Sequence, residues 1–182
     1  MKNRSVAVLL AVFAMAFGTF SFAQNPMVGG HDMSPMKNIV QNALNSDDHT
    51  TLVAAVKAAG LVEILEGSGP FTVFAPTNEA FAKLPAGTVD NLVKPENKDQ
   101  LTKILTYHVV AGRVTSNDLR KLIKEGHGTA ELTTVEGGKL SAMMQGSKIV
   151  LKDEKGGTST VTIPNVMQSN GVIHVVDSVL LP

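Results

Sequence analysis

The chain has 182 residues, with 16 acidic and 16 basic side chains, and it contains no cysteine. This composition excludes disulfides, a thiol nucleophile and a lipid-bearing cysteine. The chain also lacks a basic stripe with interleaved aromatic residues, which excludes a nucleic-acid-binding protein.

The first 23 residues have the pattern of a secretory signal peptide. Lys2 and Arg4 precede an uncharged apolar run over residues 6–17, and Ser21 and Ala23 are the small residues of a cleavage site. The alternative is a membrane anchor, but a span needs ~20 apolar residues and this run is shorter. We expect cleavage after Ala23, export to the periplasm or the medium, and no membrane span in the mature chain.

The next residues, 24–35, are rich in glycine and polar side chains and are predicted to form a flexible arm. Ser34 is then predicted to cap the first of several helices. Apolar residues at helical spacing predict helices at 35–44, 50–59, 61–65, 78–84, 89–93, 98–106 and 117–125. Alternation and turn residues predict strands at 71–75, 108–114, 130–135, 139–144, 148–152, 159–163 and 172–180. Helices followed by strands predict an α+β domain rather than an alternating parallel sheet.

Residues 71–81 predict a strand that leads directly into a helix. Phe71 and Val73 should point to one face of this strand and Phe74 to the other. Pro76 ends the strand because it cannot donate a ladder hydrogen bond. Thr77 then provides the N-cap hydroxyl of the following helix.

Two further segments complete a set of three motifs in the same order as in a known family. The last block, 170–182, opens with an Asn-Gly turn and continues as an apolar strand. Between the two blocks lies the Tyr107-His108 step. Over about 36–182, these segments resemble the fasciclin (FAS1) domain. The resemblance implies one domain at 36–182, built as a wedge of two mostly antiparallel sheets with a bundle of short helices.

The sequence contains no nucleophile elbow, Walker A loop or His-Glu-x-x-His motif, so we expect neither an enzyme nor a cofactor. The five histidines are scattered singly, which argues against a metal site. His108 and His174 lie among apolar neighbours, and we expect buried, hydrogen-bonded imidazoles rather than a ligand contact or a general base. Asp177 is expected on the same face of its strand as Ile173 and Val175. Its carboxylate therefore needs a hydrogen-bond partner, either a backbone amide or a histidine. The structural motif residues are Thr77, Asn78, His174 and Asp177.

For function, the resemblance implies an extracellular adhesion module, acting as a monomer on an extracellular or cell-surface protein or a matrix polymer. Animal members of the family recognise integrins through the Tyr-His segment and a short acidic motif. Asn165 replaces the acidic residue of that motif, and this missing carboxylate argues against integrin binding. The partner-binding residues implied by the resemblance are Tyr107, His108, Pro164, Asn165, Val166 and Met167.

A second function stays open at this point. The protein could be an extracellular or periplasmic carrier that holds a lipid or another small apolar molecule in a crevice between helices and sheet. An exposed patch of apolar and polar residues would favour adhesion, whereas an enclosed apolar pocket would favour the carrier.

Overall fold

The structure is a computed structural model and describes residues 25–182. The signal peptide predicted at 1–23 lies outside the described residues and stays a prediction. In residues 25–182, no helix combines the length and the apolar composition that crossing a bilayer requires.

The first part of the domain is helical, as predicted. The first helix, α1 (Ile39–Ala43), is short and begins one turn later than expected, because Asn38 rather than Ser34 accepts the capping hydrogen bond, from the backbone N–H of Gln41. The cap of the last helix, α7 (Ser116–Glu125), is Thr115, whose hydroxyl accepts from the Asp118 N–H. The described helices are α1 (Ile39–Ala43), α2 (Thr50–Ala59), α3 (Val62–Glu66), α4 (Asn78–Ala82), α5 (Thr88–Leu92), α6 (Lys98–Tyr107) and α7 (Ser116–Glu125), with 3-10 turns at Asp47–His49 and Pro95–Asn97.

The strands form a short hairpin and a seven-stranded sheet. The hairpin is β1 (Met27–Val28) with β2 (His31–Asp32). The sheet contains β3 (Phe71–Pro76), β4 (Val109–Ala111), β5 (Thr129–Thr133), β6 (Lys139–Gln145), β7 (Lys148–Lys152), β8 (Thr158–Gln168) and β9 (Gly171–Val176). Its spatial order is β4-β3-β9-β8-β7-β6-β5.

The long strand β8 joins the two halves of this sheet. It pairs with β7 through residues 158–160 and with β9 through residues 161–168, with register shifts between these points. β3 and β9 run parallel, while the other neighbouring strands are antiparallel. The predicted fold, mostly antiparallel strands with several short helices, is confirmed, and its two sheets are the halves of one seven-stranded sheet that share β8.

Strand β3 separates two apolar cores, as its predicted alternation requires. Val73 and Ala75 pack against the helical layer, whereas Phe74 points into the space enclosed by the sheet and α7. The first core includes Val40, Leu52, Val56, Leu61, Leu65, Phe81, Leu101, Leu105, Ile173 and Val175. The second includes Leu119, Ile123, Leu132, Leu140, Leu151, Val161, Val176 and Leu180.

The segment predicted to be a flexible arm has regular structure and packs on the domain. Val28 and Met33, in and just after the β1–β2 hairpin, are buried in the first core. The Asn25 side chain donates to the Met167 carbonyl at 2.7 Å and accepts from the Met167 N–H at 2.9 Å. The structure differs here from the flexible arm predicted at 24–35, because the sequence pattern did not show that Val28 and Met33 have a place in the core.

The last strand ends earlier than predicted, at Val176. Beyond it, one more backbone bond reaches β8, from the Asp177 N–H to the Thr160 carbonyl at 3.2 Å. A side chain then replaces the ladder, because the N–H of Ser178 donates to the Ser159 hydroxyl at 3.0 Å. Asp177 accepts the backbone N–H of Thr160 at 2.8 Å, so its partner is a backbone amide. These contacts turn the chain away from the sheet.

Candidate binding site

Tyr107 lies at the end of α6 and is fully buried, with an exposed fraction of 0%. Its hydroxyl donates to the Lys139 carbonyl at 2.5 Å and accepts from the Glu154 N–H at 3.3 Å. Burial raises the pKa of this hydroxyl. Tyr107 therefore ties the helix to the sheet and presents no surface to a partner.

His108 follows directly and is also buried. Nδ1–H donates to the Ile104 carbonyl at 2.8 Å, and Nε2 accepts from the Leu180 N–H at 3.0 Å. Since a carbonyl only accepts and an amide N–H only donates, the partners require this neutral tautomer. Burial lowers the pKa of His108 to about 4. At neutral pH the ring is an uncharged link between α6 and the C-terminal segment.

His174, in the middle of β9, makes a similar link. Nδ1 accepts from the Asn165 N–H at 3.2 Å, and Nε2–H donates to the Val114 carbonyl at 2.8 Å. The ring stacks on Phe74 with 5.6 Å between centroids. Burial lowers the pKa of His174, which favours the neutral ring that these bonds need.

Asn165 lies within β8, at the register shift between Ile163 and Val166, and has a φ of 59°. Its side-chain oxygen accepts from the Ser116 N–H at 2.8 Å, and its amide donates to the Ser116 hydroxyl at 2.7 Å. The side chain therefore closes the N-terminus of α7. Of its neighbours, Val166 is buried, while Pro164 and Met167 are half-buried.

The six residues implied as partner contacts thus divide into two groups. Tyr107, His108 and Val166 are buried, so the folded domain does not present them to a partner. Pro164, Asn165 and Met167 retain some exposure, and their contact with a partner stays a prediction.

Thr77 and Asn78 connect β3 to the helical layer. The Thr77 hydroxyl accepts from the Ala80 N–H at 3.2 Å, which is the cap expected for α4. The Asn78 side-chain oxygen accepts from the Thr51 N–H, and its amide donates to the Asp47 carbonyl, both at 2.9 Å. Both side chains hold helix ends in place.

Asn170 has a role that the sequence reading missed. The side chain is buried, its oxygen accepts from the Ile39 N–H at 3.0 Å, and its amide donates to the carbonyls of Leu65 and Gly67 at 2.8 Å each. It joins the start of α1 to the end of α3. An Asn-Gly pair signals only a turn, and nothing in the local pattern identifies these distant partners.

An apolar cleft lies between the helices and the sheet, with a cavity volume of about 70 Å³. Its walls come from α1, α2, α3 and α6 on one side and from β3 and β9 on the other. Ile64 and Val135 are among the lining residues and are also exposed, by 56% and 47%. The cleft therefore reaches the surface with apolar side chains at its opening.

Within residues 25–182, no group of three or more His, Asp or Glu side chains is placed to hold a metal ion. His31 Nε2 lies 3.3 Å from an Asp47 carboxylate oxygen on the exposed surface. This pair joins the hairpin to the 3-10 turn.

The fold and these contacts define a small α+β domain whose polar motif residues serve as internal links. Comparison with known proteins narrows this class further. The family model of the fasciclin domain matches residues 47–182. The chain therefore belongs to the fasciclin domain family.

Several relatives agree with this assignment. The chain is 49% identical to protein sll1483 of Synechocystis sp. over 144 residues, which cover 79% of this chain and 73% of that protein. It is 39% identical to immunogenic protein MPB70 of Mycobacterium bovis, over 77% of this chain and 66% of that one. It is 34% identical to transforming growth factor-beta-induced protein ig-h3 of Sus scrofa, over 82% of this chain but 20% of that protein.

The fold also matches a solved structure, a FAS1 domain pair from the insect cell adhesion molecule fasciclin I. The TM-score is 0.71 at 21% identity, over 80% of this chain and 51% of that chain. The fold implied by the sequence motifs is confirmed.

Proposed function

We propose that the protein is a secreted, non-catalytic interaction module that binds an extracellular or cell-surface protein or a matrix polymer. Membership of the fasciclin family supports this proposal, as does the fold shared with an insect cell adhesion molecule. The observation that carries it is the apolar cleft, which opens at the surface beside exposed Ile64 and Val135.

The chemistry of this opening suits a protein partner. A binding surface gains most from a few apolar anchors that leave water and enter a pocket, surrounded by polar groups. The cleft provides the pocket, and Lys57 and Thr106 are polar residues among those that line it. An apolar side chain of the partner would fill the opening and cover Ile64.

The hydrogen bonds of Asn165 support a binding mode without a metal bridge. Its side chain is an amide, and both of its ends already bond to Ser116. A receptor-held divalent cation would need a free carboxylate at this position. Binding should therefore survive a chelator.

The size of the cleft favours the interaction module over a lipid carrier. Pockets that enclose drug-sized ligands have volumes of roughly 300–1,000 Å³, whereas this cleft has about 70 Å³. Its apolar lining still supports a second candidate function, the transport of a small apolar molecule. A whole lipid would not fit inside it.

Capture from the native extracellular fraction tests the main proposal. Tagged mature protein would be used as bait, with and without a chelator, and the retained material would be identified and then bound to pure protein. We expect one retained protein or polymer that binds in both conditions. Reproducible absence of any extracellular binder would contradict the proposal.

A further inference from the structure

The N-terminal strap, residues 25–34, fills one side of the apolar cleft. It consists of the β1–β2 hairpin and the residues on either side of it. Val28 and Met33 line the cleft and are 3% and 5% exposed. The strap therefore occupies apolar space that a binding partner could fill in its place.

Asn25 contacts the edge of β8 in the manner of an added strand. β8 pairs with β7 only through residues 158–160, so in the described part of the chain no strand lies beside Met167 on the side away from β9. The Met167 N–H donates to the Asn25 side-chain oxygen at 2.9 Å, and the Asn25 amide donates to the Met167 carbonyl at 2.7 Å. A side-chain amide offers the same donor and acceptor as a backbone peptide group. These two bonds are the pair that one residue of an antiparallel strand makes with its neighbour.

The strap is attached to the domain by a small number of buried groups. β1 and β2 form a two-stranded sheet of their own, and Val28 and Met33 are the buried apolar side chains of the strap. The pair of His31 and Asp47 lies on the exposed surface, where ion pairs contribute little. Segments near a chain terminus that bury few side chains open at a lower free energy than the core.

Asn42 fixes the C-terminal end of the strap. This side chain is fully buried, accepts from the Ser34 N–H at 3.1 Å and donates to the Ser34 carbonyl at 2.7 Å. The strap would therefore leave the cleft by turning about Ser34, with the end that contains Asn25 moving away from β8.

Gly29 fits closely against the start of the 3-10 turn. A Cβ atom at this position would lie 2.6 Å from the Asp47 backbone nitrogen and 2.6 Å from Ser46 Oγ. A Cβ atom at Gly30 would meet no described atom within 4 Å. Both glycines have a positive φ, 58° and 76°, so alanine strains the backbone at either position. Only at Gly29 does it add a clash with the domain.

We propose that the strap is a displaceable cover, and that the groove beneath it binds an extended, apolar segment of the partner protein. The segment would bond to both backbone groups of Met167, as Asn25 does, and would place apolar side chains where Val28 and Met33 lie. Strand addition of this kind obtains affinity from backbone bonds and specificity from side-chain pockets. The proposal rests on the proposed function and names the kind of partner.

The test uses a fluorescent peptide with the sequence of residues 25–34 as a probe of the groove, added to the full mature chain. We expect Gly29→Ala to bind this peptide about tenfold or more tightly than Gly30→Ala does, because the clash raises the fraction of protein with an open groove. Wild-type protein should bind it more weakly than either variant. A peptide that carries Val28→Asp should bind about tenfold more weakly to Gly29→Ala, since its carboxylate would have to enter an apolar cleft.

Hydrogen exchange of wild-type protein provides an independent measurement. The Met167 N–H bonds to Asn25, so its exchange rate reports the release of the strap. We expect this amide to exchange about 100-fold or more faster than the slowest amides of β9. If Gly29→Ala does not fold, Asn25→Ala, which removes both bonds to Met167, replaces it and should bind the peptide more tightly than wild-type protein does.

Equal affinity of Gly29→Ala and Gly30→Ala for the peptide would overturn the proposal, as would exchange of the Met167 amide at the rate of β9. A wild-type dimer that exchanges straps would assign the groove to a second copy of this chain and would overturn it as well. None of these measurements needs the captured partner. The strap proposal and the proposed function can therefore fail separately.

Discussion

Asn165 and Asn170 lie five positions apart, and their hydrogen bonds predict opposite responses to the same substitution. Both partners of Asn165 come from Ser116, an N–H and a hydroxyl, and both can donate to a carboxylate. The N-terminus of α7 also favours negative charge. Asn165→Asp should therefore change the free energy of unfolding by less than ~1 kcal/mol.

Asn170→Asp should be far more damaging. The Asn170 amide donates to two carbonyls, and a carboxylate would lose both bonds and face their oxygens from a buried position. We expect a loss of ~2 kcal/mol or more. Urea titration of the two variants checks the contrast, and equal effects would show that the assigned hydrogen bonds are wrong.

His108 predicts how stability depends on pH. Its pKa is about 4 in the folded protein and 6.5 for the ordinary side chain. Between these values the unfolded chain binds more protons, so stability falls as the pH is lowered from 6.5 to 4. The pKa difference corresponds to a loss of ~3 kcal/mol.

His108→Gln separates this contribution from those of His49 and His174, which change stability in the same direction. Glutamine keeps a donor and an acceptor but does not titrate in this range. The stability advantage of wild-type protein over His108→Gln should be larger at pH 7 than at pH 4. Parallel profiles in denaturant titrations across this range would contradict the assignment.

For single residues, helix capping by a nearby side chain was predictable from the sequence. Hydrogen-bond partners that lie far away in the chain were not. The Thr77 cap of α4 was predictable because a threonine directly before a helix often accepts a backbone N–H of the first turn. Its donor, Ala80, is only three residues away. His108 has one partner, Leu180, that lies 72 positions away in sequence, and Asn170 has one, Ile39, that lies 131 positions away. No local pattern contains that information, so only the fold identifies them.

Among the elements, β3 and β9 form the parallel centre of the sheet, and each contributes to a core. Phe74 is fully buried in the second core and Ile173 is buried in the first. Replacing either by alanine should cost ~2–5 kcal/mol through lost burial and a cavity. Leu122→Ala, on an exposed position of α7, is the control and should cost much less. A cost below ~1 kcal/mol for both core variants would mean that the sheet centre is wrongly assigned.

The elements also show which boundaries a sequence can predict. β7 has the predicted bounds because a short, continuous apolar run is closed by turn residues on both sides. β8 extends five residues beyond its predicted end at 163, to Gln168, because its register shifts let Pro164 and Asn165 remain within the strand. β9 is shorter than predicted because a side-chain partner replaces the ladder after Asp177, where the Ser178 N–H donates to the Ser159 hydroxyl.

For the whole molecule, export is a prediction of the sequence alone. The small residues Ser21 and Ala23 predict a mature protein that begins at Gln24. N-terminal sequencing of protein recovered outside the cytoplasm should find this start. A product that retains Met1 and sediments with membranes would contradict both cleavage and export.

The family and wedge fold could be predicted because three short motifs occur in a fixed order. The candidate binding surface could not, because the cleft is formed by residues from many elements whose side chains meet only after folding. Its exposed residues, Ile64 and Val135, look like ordinary apolar positions in the sequence.

The central claim is that the protein binds a macromolecular partner at the opening of the cleft. Its most direct test measures the affinity of the captured partner for Ile64→Lys and for Leu122→Lys, the matched control at an exposed apolar position outside the cleft lining. Ile64→Lys should weaken binding tenfold or more, about 1.4 kcal/mol, because a charge at the opening must be desolvated. Leu122→Lys should bind like wild-type protein. Unchanged affinity for Ile64→Lys, with both variants folded, would contradict the claim.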